Sequence, residues 1–246
     1  MKRLLWNKAE ETLDTLFGGR LKILQKKRGY RFSIDALLLA FFAEPGPDDR
    51  IIDLGTGCGI VPLVLLFRKK VKRITGVEIQ PSLAELARRN AVLNRFSSRF
   101  QVWEGDLRAL DERVKRESFD LVLTNPPYRK VGSGRVNPHT EKGVARHEIR
   151  TTLEEVLRSA HYLLIDKGRL AMIYPASRVA DLMRGLSKHH LEPKRVQFVH
   201  SHEEGEARLV LVEALKEGHA QVKVLPPFFL YDSSGNYRPA ARELFE

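Results

Sequence analysis

The amino-acid sequence predicts an α/β protein: a doubly wound, mostly parallel seven-stranded sheet with a terminal antiparallel hairpin and a short N-terminal cap. Three observations predict it. From residue 50 onward, short apolar runs alternate with helix-like stretches, the signature of a parallel sheet covered on both faces. A glycine-rich turn, Gly55-Thr56-Gly57-Cys58-Gly59, separates the first of these runs from the next helix-like stretch. The last two runs, 194–200 and 208–215, have no clear helix between them and read as an antiparallel pair.

The elements follow in order. Residues 21–25 read as a short strand, and 29–33 as a turn and extended piece. Residues 34–43 are an apolar helix with Ser33 at the N-cap position. After a Pro/Gly/Asp loop at 45–49, residues 50–54 form the first sheet strand and 60–68 a helix that tolerates Pro62 in its first turn. Residues 73–77 form the second strand, ending at Glu78. A helix over 81–94 follows, opened by Pro81 and closed by Asn94. The third strand is 99–103, followed by Gly105-Asp106, and the fourth is 119–124. Residues 130–148 are polar and glycine-bearing, a stretch shaped by substrate or mobile. Residues 151–164 form a helix with Glu154 and Glu155 in its first turn, where carboxylates favour the helix dipole. The fifth strand is 168–174, a helix covers 178–189, and 226–246 is a tail laid on the surface. Residues 1–45 are expected as a cap on a catalytic domain of 46–246.

Hydrophobic residues make up 43% and charged residues 30% of the 246, a balance that can fill a core. The longest apolar run, 60–67, is far too short to span a bilayer. The N-terminus turns polar before a signal-peptide core develops, so a cytoplasmic protein without membrane association is expected. A single cysteine, Cys58, excludes an internal disulfide and a multi-cysteine metal site. The formal net charge of +11 favours polyanionic partners, nucleic acid ahead of an anionic membrane face. The basic residues cluster. Lys22, Lys26, Lys27, Arg28 and Arg31 lie near the start, and Lys69, Lys70, Lys72 and Arg73 precede a strand. Arg129, Lys130, Arg135, Lys142, Arg146 and Arg150 follow residue 128.

Chemistry concentrates at strand ends. In Asp53-Leu54-Gly55-Thr56-Gly57-Cys58-Gly59 the glycines let the backbone approach a ligand and adopt positive φ. The spacing differs from the Gly-x-Gly-x-x-Gly dinucleotide pattern, and an aspartate just before the loop suits a ligand carrying positive charge rather than an anion. Glu78, about twenty residues beyond, can accept both hydroxyls of a ribose. Asp106 can accept from an adenine amino group, or make an Asx turn. Asn125-Pro126-Pro127-Tyr128 closes the fourth strand. The prolines remove N–H donors, so an Asn amide, a carbonyl and a flat ring could hold a planar amine. Each feature alone has a bland alternative: a tight strand-to-helix turn for the glycine loop, a solvated strand-end acid for Glu78, and ordinary turns for Asp106 and for Asn125-Pro126-Pro127-Tyr128. Their order on successive strands is specific, because such ends converge on one crevice.

These motifs resemble those of Rossmann-like S-adenosylmethionine-dependent methyltransferases that modify planar amino groups. More narrowly, residues 30–40 and Ala145-Arg146-His147-Glu148 are similar to the bacterial tRNA adenine-N6 methyltransferases that act just 3′ of the valine anticodon. The broad resemblance covers roughly residues 20–240. It implies a class I methyltransferase fold, S-adenosylmethionine as cofactor with S-adenosylhomocysteine as product, no metal, and RNA as substrate. It places Tyr30, Phe32, Ser33 and Asp35 beside the cofactor, with Asp53, Leu54, Gly55, Thr56, Gly57, Gly59, Glu78, Ile79, Asp106, Leu107 and Asn125 lining it. Asn125, Pro126, Pro127 and Tyr128 become the catalytic corner. Lys26, Lys27, Arg28, Arg129, Lys130, Arg135 and Arg146 become RNA contacts. His147 reads better as a loop anchor than as a base. Monomer and homodimer both stay open.

The same corner would serve a glutamine methyltransferase acting on release factors, or an rRNA or DNA amino-methyltransferase. Release-factor enzymes carry a larger domain before the glycine loop, where this chain has only about fifty residues. A non-catalytic RNA-binding protein of the same fold is the alternative of a different class; intact Asp53, Glu78 and Asn125 argue against it.

Overall fold

The computed structural model describes residues 6–29, 31–126 and 151–246. Two antiparallel strands come first, β1 (Glu11–Leu16) and β2 (Leu21–Lys26). Helix α1 (Ile34–Phe42) follows. Then come β3 (Ile51–Leu54), α2 (Ile60–Arg68), β4 (Ile74–Glu78), α3 (Pro81–Leu93), β5 (Phe100–Glu104) and a 3-10 turn at Leu107–Glu112. The chain continues through β6 (Phe119–Thr124), α4 (Leu153–Leu163), β7 (Leu164–Pro175), α5 (Val179–Lys188), β8 (Leu191–His200) and β9 (Ala207–Lys216). The tail contributes β10 (Lys223–Val224), β11 (Phe228–Phe229) and α6 (Pro239–Arg242).

Seven long strands form one sheet in the order β5-β4-β3-β6-β7-β9-β8. The first five are parallel, and β9 runs antiparallel between β7 and β8. The expected architecture is therefore the observed one. The tail departs from a plain surface strap: β10 and β11 add two short parallel pairings along the outer edge of β8. Such pairing covers an edge that would otherwise offer unpaired backbone groups.

Two apolar layers sandwich the sheet. One face holds α1, α2, α3, the β1–β2 hairpin and α6, and the other holds α4, α5 and the 3-10 turn. Helix α2 is apolar nearly all round because its residues 60–66 are all buried. Burial of each such large side chain contributes roughly 1.5–3 kcal/mol. Helix α4 is fixed at its start by a capping box. The Thr152 side chain accepts from Glu155 N at 3.2 Å while Glu155 Oε2 accepts from Thr152 N at 2.7 Å.

Strand β1 is absent from the sequence reading. Its residues are mostly half-buried and polar, so no apolar stripe announces it. The turn does: Gly18 and Gly19 both take positive φ, a strong hairpin signal. The tail closes on this turn through Phe17 N donating to Phe245 O at 2.6 Å.

Candidate functional site

Register brings the strand-end motifs together. Leu54, Val77, Trp103 and Thr124 occupy one cross-strand row of β3, β4, β5 and β6. The next residues outward are therefore Gly55, Glu78, Glu104 and Asn125, on one carboxyl rim. The Thr124 hydroxyl donates to Leu54 O at 3.0 Å, which fastens the residue before Asn125 to the residue before Gly55. Asn125 is half-buried and Pro126 buried.

The glycine loop crosses over β4. Both Gly55 N and Thr56 N donate to Val77 O at 2.9 Å. Gly55, Gly57 and Gly59 have φ of 75°, 59° and 85°, which side-chain-bearing residues rarely adopt. A Cβ on Gly59 would stand 2.6 Å from the Phe100 ring, whereas one on Gly55 would meet nothing within 4 Å. Gly59 is thus required by packing beneath, and Gly55 faces open space above.

Glu78 is buried, at 5% exposure. Its Oε2 accepts from Gly57 N and its Oε1 from Gln80 N, both at 2.9 Å. Burial raises its carboxyl above the usual range, opposed by amides of Gln80, Gly57 and Ile79. Asp53 is buried deeper, at 2% exposure, and its Oδ2 has no hydrogen-bond partner among the described residues. Desolvation pushes its carboxyl from 3.8 to about 7, and the charge of Glu78 adds to the rise. Thr56 opposes that rise from close by, although its own buried hydroxyl lacks a partner of good hydrogen-bond geometry. A buried carboxylate with only the Thr56 hydroxyl close by among the described residues, beneath an open glycine loop, fits a ligand that brings positive charge.

Asp106 lies two residues past β5, where Gly105 N donates to Glu78 O at 3.0 Å. Its carboxylate caps the 3-10 turn, Oδ1 accepting from Arg108 N at 2.8 Å, and both oxygens also meet the Arg108 guanidinium. That guanidinium holds its carboxyl below the ordinary range. The Asx-turn alternative is therefore realised, and the lone-pair sites of both oxygens are met by Arg108, so a further donor would have to displace part of the guanidinium contact. Leu107 O accepts from Ser159 Oγ at 3.0 Å.

Helix α1 starts on the same rim. Glu44, just past its end, accepts through its carbonyl from Arg169 near the foot of β7 at 2.8 Å, so the Ser33 and Asp35 end lies at the carboxyl edge. Ser33 occupies the N-cap position without a side-chain cap bond. Phe32 N donates to Gln25 Oε1 at 2.9 Å, tying this segment to β2. Arg31 ties the same stretch to the hairpin, donating to Thr12 Oγ1 at 2.8 Å, Lys26 O at 3.0 Å and Asp14 Oδ2 at 2.8 Å. Cys58 is a buried packing residue whose thiol is pushed up to about 12 by desolvation.

A cavity of about 470 Å³ lies away from the glycine loop, at the open end of the hairpin; Ala9, Glu10, Glu11, Lys26, Lys27 and Arg28 line it. It gathers three of the basic residues read as RNA contacts. Among the described residues no group of three or more His, Cys, Asp or Glu could hold a metal, and no helix is long and apolar enough to cross a membrane. Tyr30, Pro127, Tyr128, Arg129, Lys130, Arg135, Arg146 and His147 lie outside the described residues. Three side chains that shape the site escaped the sequence reading: Gln25, Asn90 and Thr124. Asn90 and Thr124 act through partners far away in the chain and Gln25 through Phe32, seven residues on, so no motif spacing marks them.

Fold and site together define a Rossmann-like S-adenosylmethionine-dependent methyltransferase. Residues 33–190 match the methyltransferase small domain family. A tRNA1(Val) (adenine(37)-N6)-methyltransferase of Porphyromonas gingivalis is 34% identical over 79% of this chain and 78% of its own length. One from Dyadobacter fermentans is 27% identical over 91% and 92%. The chain belongs to this family of tRNA1(Val) adenine-N6 methyltransferases. Among solved structures, a predicted O-methyltransferase of Agrobacterium tumefaciens superposes with a TM-score of 0.68 at 27% identity, covering 85% of this chain and 94% of that one. A geranyl diphosphate C-methyltransferase of Streptomyces coelicolor, solved with S-adenosyl-L-homocysteine, shares the fold at TM-score 0.52 and 16% identity, over 74% of each chain.

Proposed function

We propose that this chain methylates the exocyclic amino nitrogen of an adenine in RNA, in a cytoplasmic tRNA beside the anticodon, with residues 1–45 capping a catalytic domain of 46–246. The observation that carries the reading is the cross-strand row that sets the glycine loop, Glu78 and Asn125 on adjacent positions of one rim.

When bound, S-adenosylmethionine supplies a methyl group on a sulfonium, a leaving group good enough that no strong base is needed. Glu78 would accept its ribose hydroxyls, Asp106 and Leu107 would meet its adenine, and Asp53 would supply negative potential beneath the loop. Phe32, Ser33 and Asp35 close the side toward α1. The obstacle is the acceptor, whose amine lone pair is delocalised into the ring. The Asn125 side-chain carbonyl and the Pro126 carbonyl accept the two amine hydrogens and draw the nitrogen toward tetrahedral geometry. The lone pair would then be free for transfer, and alignment of this kind supplies much of the rate. Tyr128 would stack on the base, worth on the order of 1–3 kcal/mol, and Pro127, which has no N–H, would offer no competing donor. The proton released after transfer goes to water.

A base in structured RNA must be extruded to reach the rim, at a cost of a few kcal/mol that is smaller in an anticodon loop. Lys26, Lys27 and Arg28, with Arg129, Lys130, Arg135 and Arg146, hold the phosphates. Methyl-labelled cofactor offered separately with unmodified valine tRNA, rRNA and release factor tests the substrate class. Label recovered as N6-methyladenosine from the tRNA supports the reading. Label in a protein glutamine, or in guanine, contradicts it.

A further inference from the structure

The free edge of β2 is covered by a helix, not a strand. Two asparagines four residues apart, Asn90 on α3 and Asn94 at its C-cap, pair with alternate residues of that edge. Asn94 Oδ1 accepts from Lys22 N at 2.9 Å, and Asn94 Nδ2 donates to Lys22 O at 2.7 Å. Asn90 Oδ1 accepts from Leu24 N at 2.7 Å, and Asn90 Nδ2 donates to Leu24 O at 3.0 Å. The spacing works because helix positions i and i+4 lie about 6 Å apart, close to the roughly 6.6 Å between alternate strand residues. Each side-chain amide thus replaces one residue of a neighbouring strand.

The two asparagines then diverge. The second Nδ2 hydrogen of Asn94 goes to its own helix, at Asn90 O, 2.8 Å away. That of Asn90 goes to the glycine loop, at Cys58 O, 3.0 Å away. Asn90 is fully buried, at 0% exposure, so these bonds face no competition from water. Glu78 grips the same loop from the other side through Gly57 N. Two neighbouring polar groups of the loop, an amide and a carbonyl, are therefore fixed by side chains from β4 and α3.

We propose that Asn90 is a positioning residue for cofactor binding: it holds the Cys58 carbonyl, and with it the Gly55–Gly59 turn, in register with strand β2. Loop shape and hairpin docking are then one mechanical unit, and occupancy of the loop is felt along the hairpin that carries Lys26, Lys27 and Arg28. The inference rests on the reading that this loop holds the cofactor.

Hydrogen exchange on the wild-type protein, with and without S-adenosylhomocysteine, is the first arm of the test. The Leu24 amide, bonded to Asn90, is expected to slow at least about threefold on binding, and the Lys22 amide, bonded to Asn94, to change less. Calorimetry with the same ligand is the second arm. Asn90→Ala is expected to bind at least about tenfold more weakly, the equivalent of one lost hydrogen bond and its unpaired carbonyl. Asn94→Ala removes the same number of hairpin bonds and lowers the melting temperature, yet is expected to keep its affinity within about twofold. A purely structural role would lower both melting temperatures and leave both affinities alone. Unchanged Leu24 exchange overturns the proposal even if Asn90→Ala fails to fold, as does a folded Asn90→Ala with wild-type affinity or an Asn94→Ala equally impaired. Glu78→Ala separates the underlying reading: wild-type affinity there means that the loop is not the cofactor site.

Discussion

The Glu78 carboxylate accepts a hydrogen bond from the Gly57 amide at 2.9 Å, across 21 residues of sequence. The acid that ends β4 therefore shapes the turn that ends β3. Its other oxygen takes Gln80 N, so both oxygens serve the protein before any ribose arrives. Glu78→Gln replaces one acceptor by an amide that must face an N–H donor. The variant is expected to bind S-adenosylhomocysteine at least about tenfold more weakly, with Glu78→Ala weaker still. Calorimetry checks both, and affinities equal to wild type would remove Glu78 from the cofactor site.

Asp53 is expected to make cofactor binding pH-dependent. Its carboxyl rises from 3.8 in the open chain to about 7 when folded. Below 3.8 both states are protonated and the group is neutral to stability. Between 3.8 and about 7 the unfolded chain gives up a proton that the folded protein keeps, so stability falls as pH rises. Above about 7 the cost is complete, on the order of 4 kcal/mol as an upper bound. Asp53→Asn is thus expected to melt higher than wild type at pH 8, with the gap closing toward pH 5. A cationic ligand favours the carboxylate, so binding of S-adenosylmethionine should release a proton near pH 6.5. Calorimetry in buffers of different ionisation enthalpy measures this, and the release should shrink in Asp53→Asn. No proton release in wild type would argue that Asp53 does not face the ligand's charge.

Thr124 contributes to stability through one buried bond. Thr124→Val keeps the shape but leaves Leu54 O without its donor. A loss of about 1–3 kcal/mol is expected in urea unfolding. An unchanged midpoint would show that the carbonyl finds another partner.

The hairpin's open end is expected to bind RNA by charge. Lys27→Ala with Arg28→Ala should weaken tRNA binding and lower the slope of log affinity against log salt by about 1.4–1.8. S-adenosylhomocysteine affinity should stay at the wild-type value. An unchanged slope would move the RNA path off this cavity.

Much of this rim is legible in the sequence because each contribution is local. Gly55 to Gly59, Glu78, Asp106 and Asn125 each follow an apolar strand, and a parallel sheet must gather such ends. Strand β1 was hidden because its side chains are mostly half-buried and polar, although Gly18-Gly19 marked its turn. Asn90 looked like an ordinary polar position in a good helix; its role appears only once Leu24 and Cys58 are beside it. The engagement of Asp106 by Arg108 is local, yet a salt bridge two residues away leaves no distinctive pattern.

The central claim is that a side-chain amide at the end of β6 directs the acceptor amine while other residues hold the cofactor. One preparation of Asn125→Ala tests it, assayed for both methyl transfer to unmodified valine tRNA and S-adenosylhomocysteine affinity. Transfer should be lost, a fall of at least about a thousandfold, while affinity stays within a few-fold of wild type. Transfer at the wild-type rate would contradict the claim.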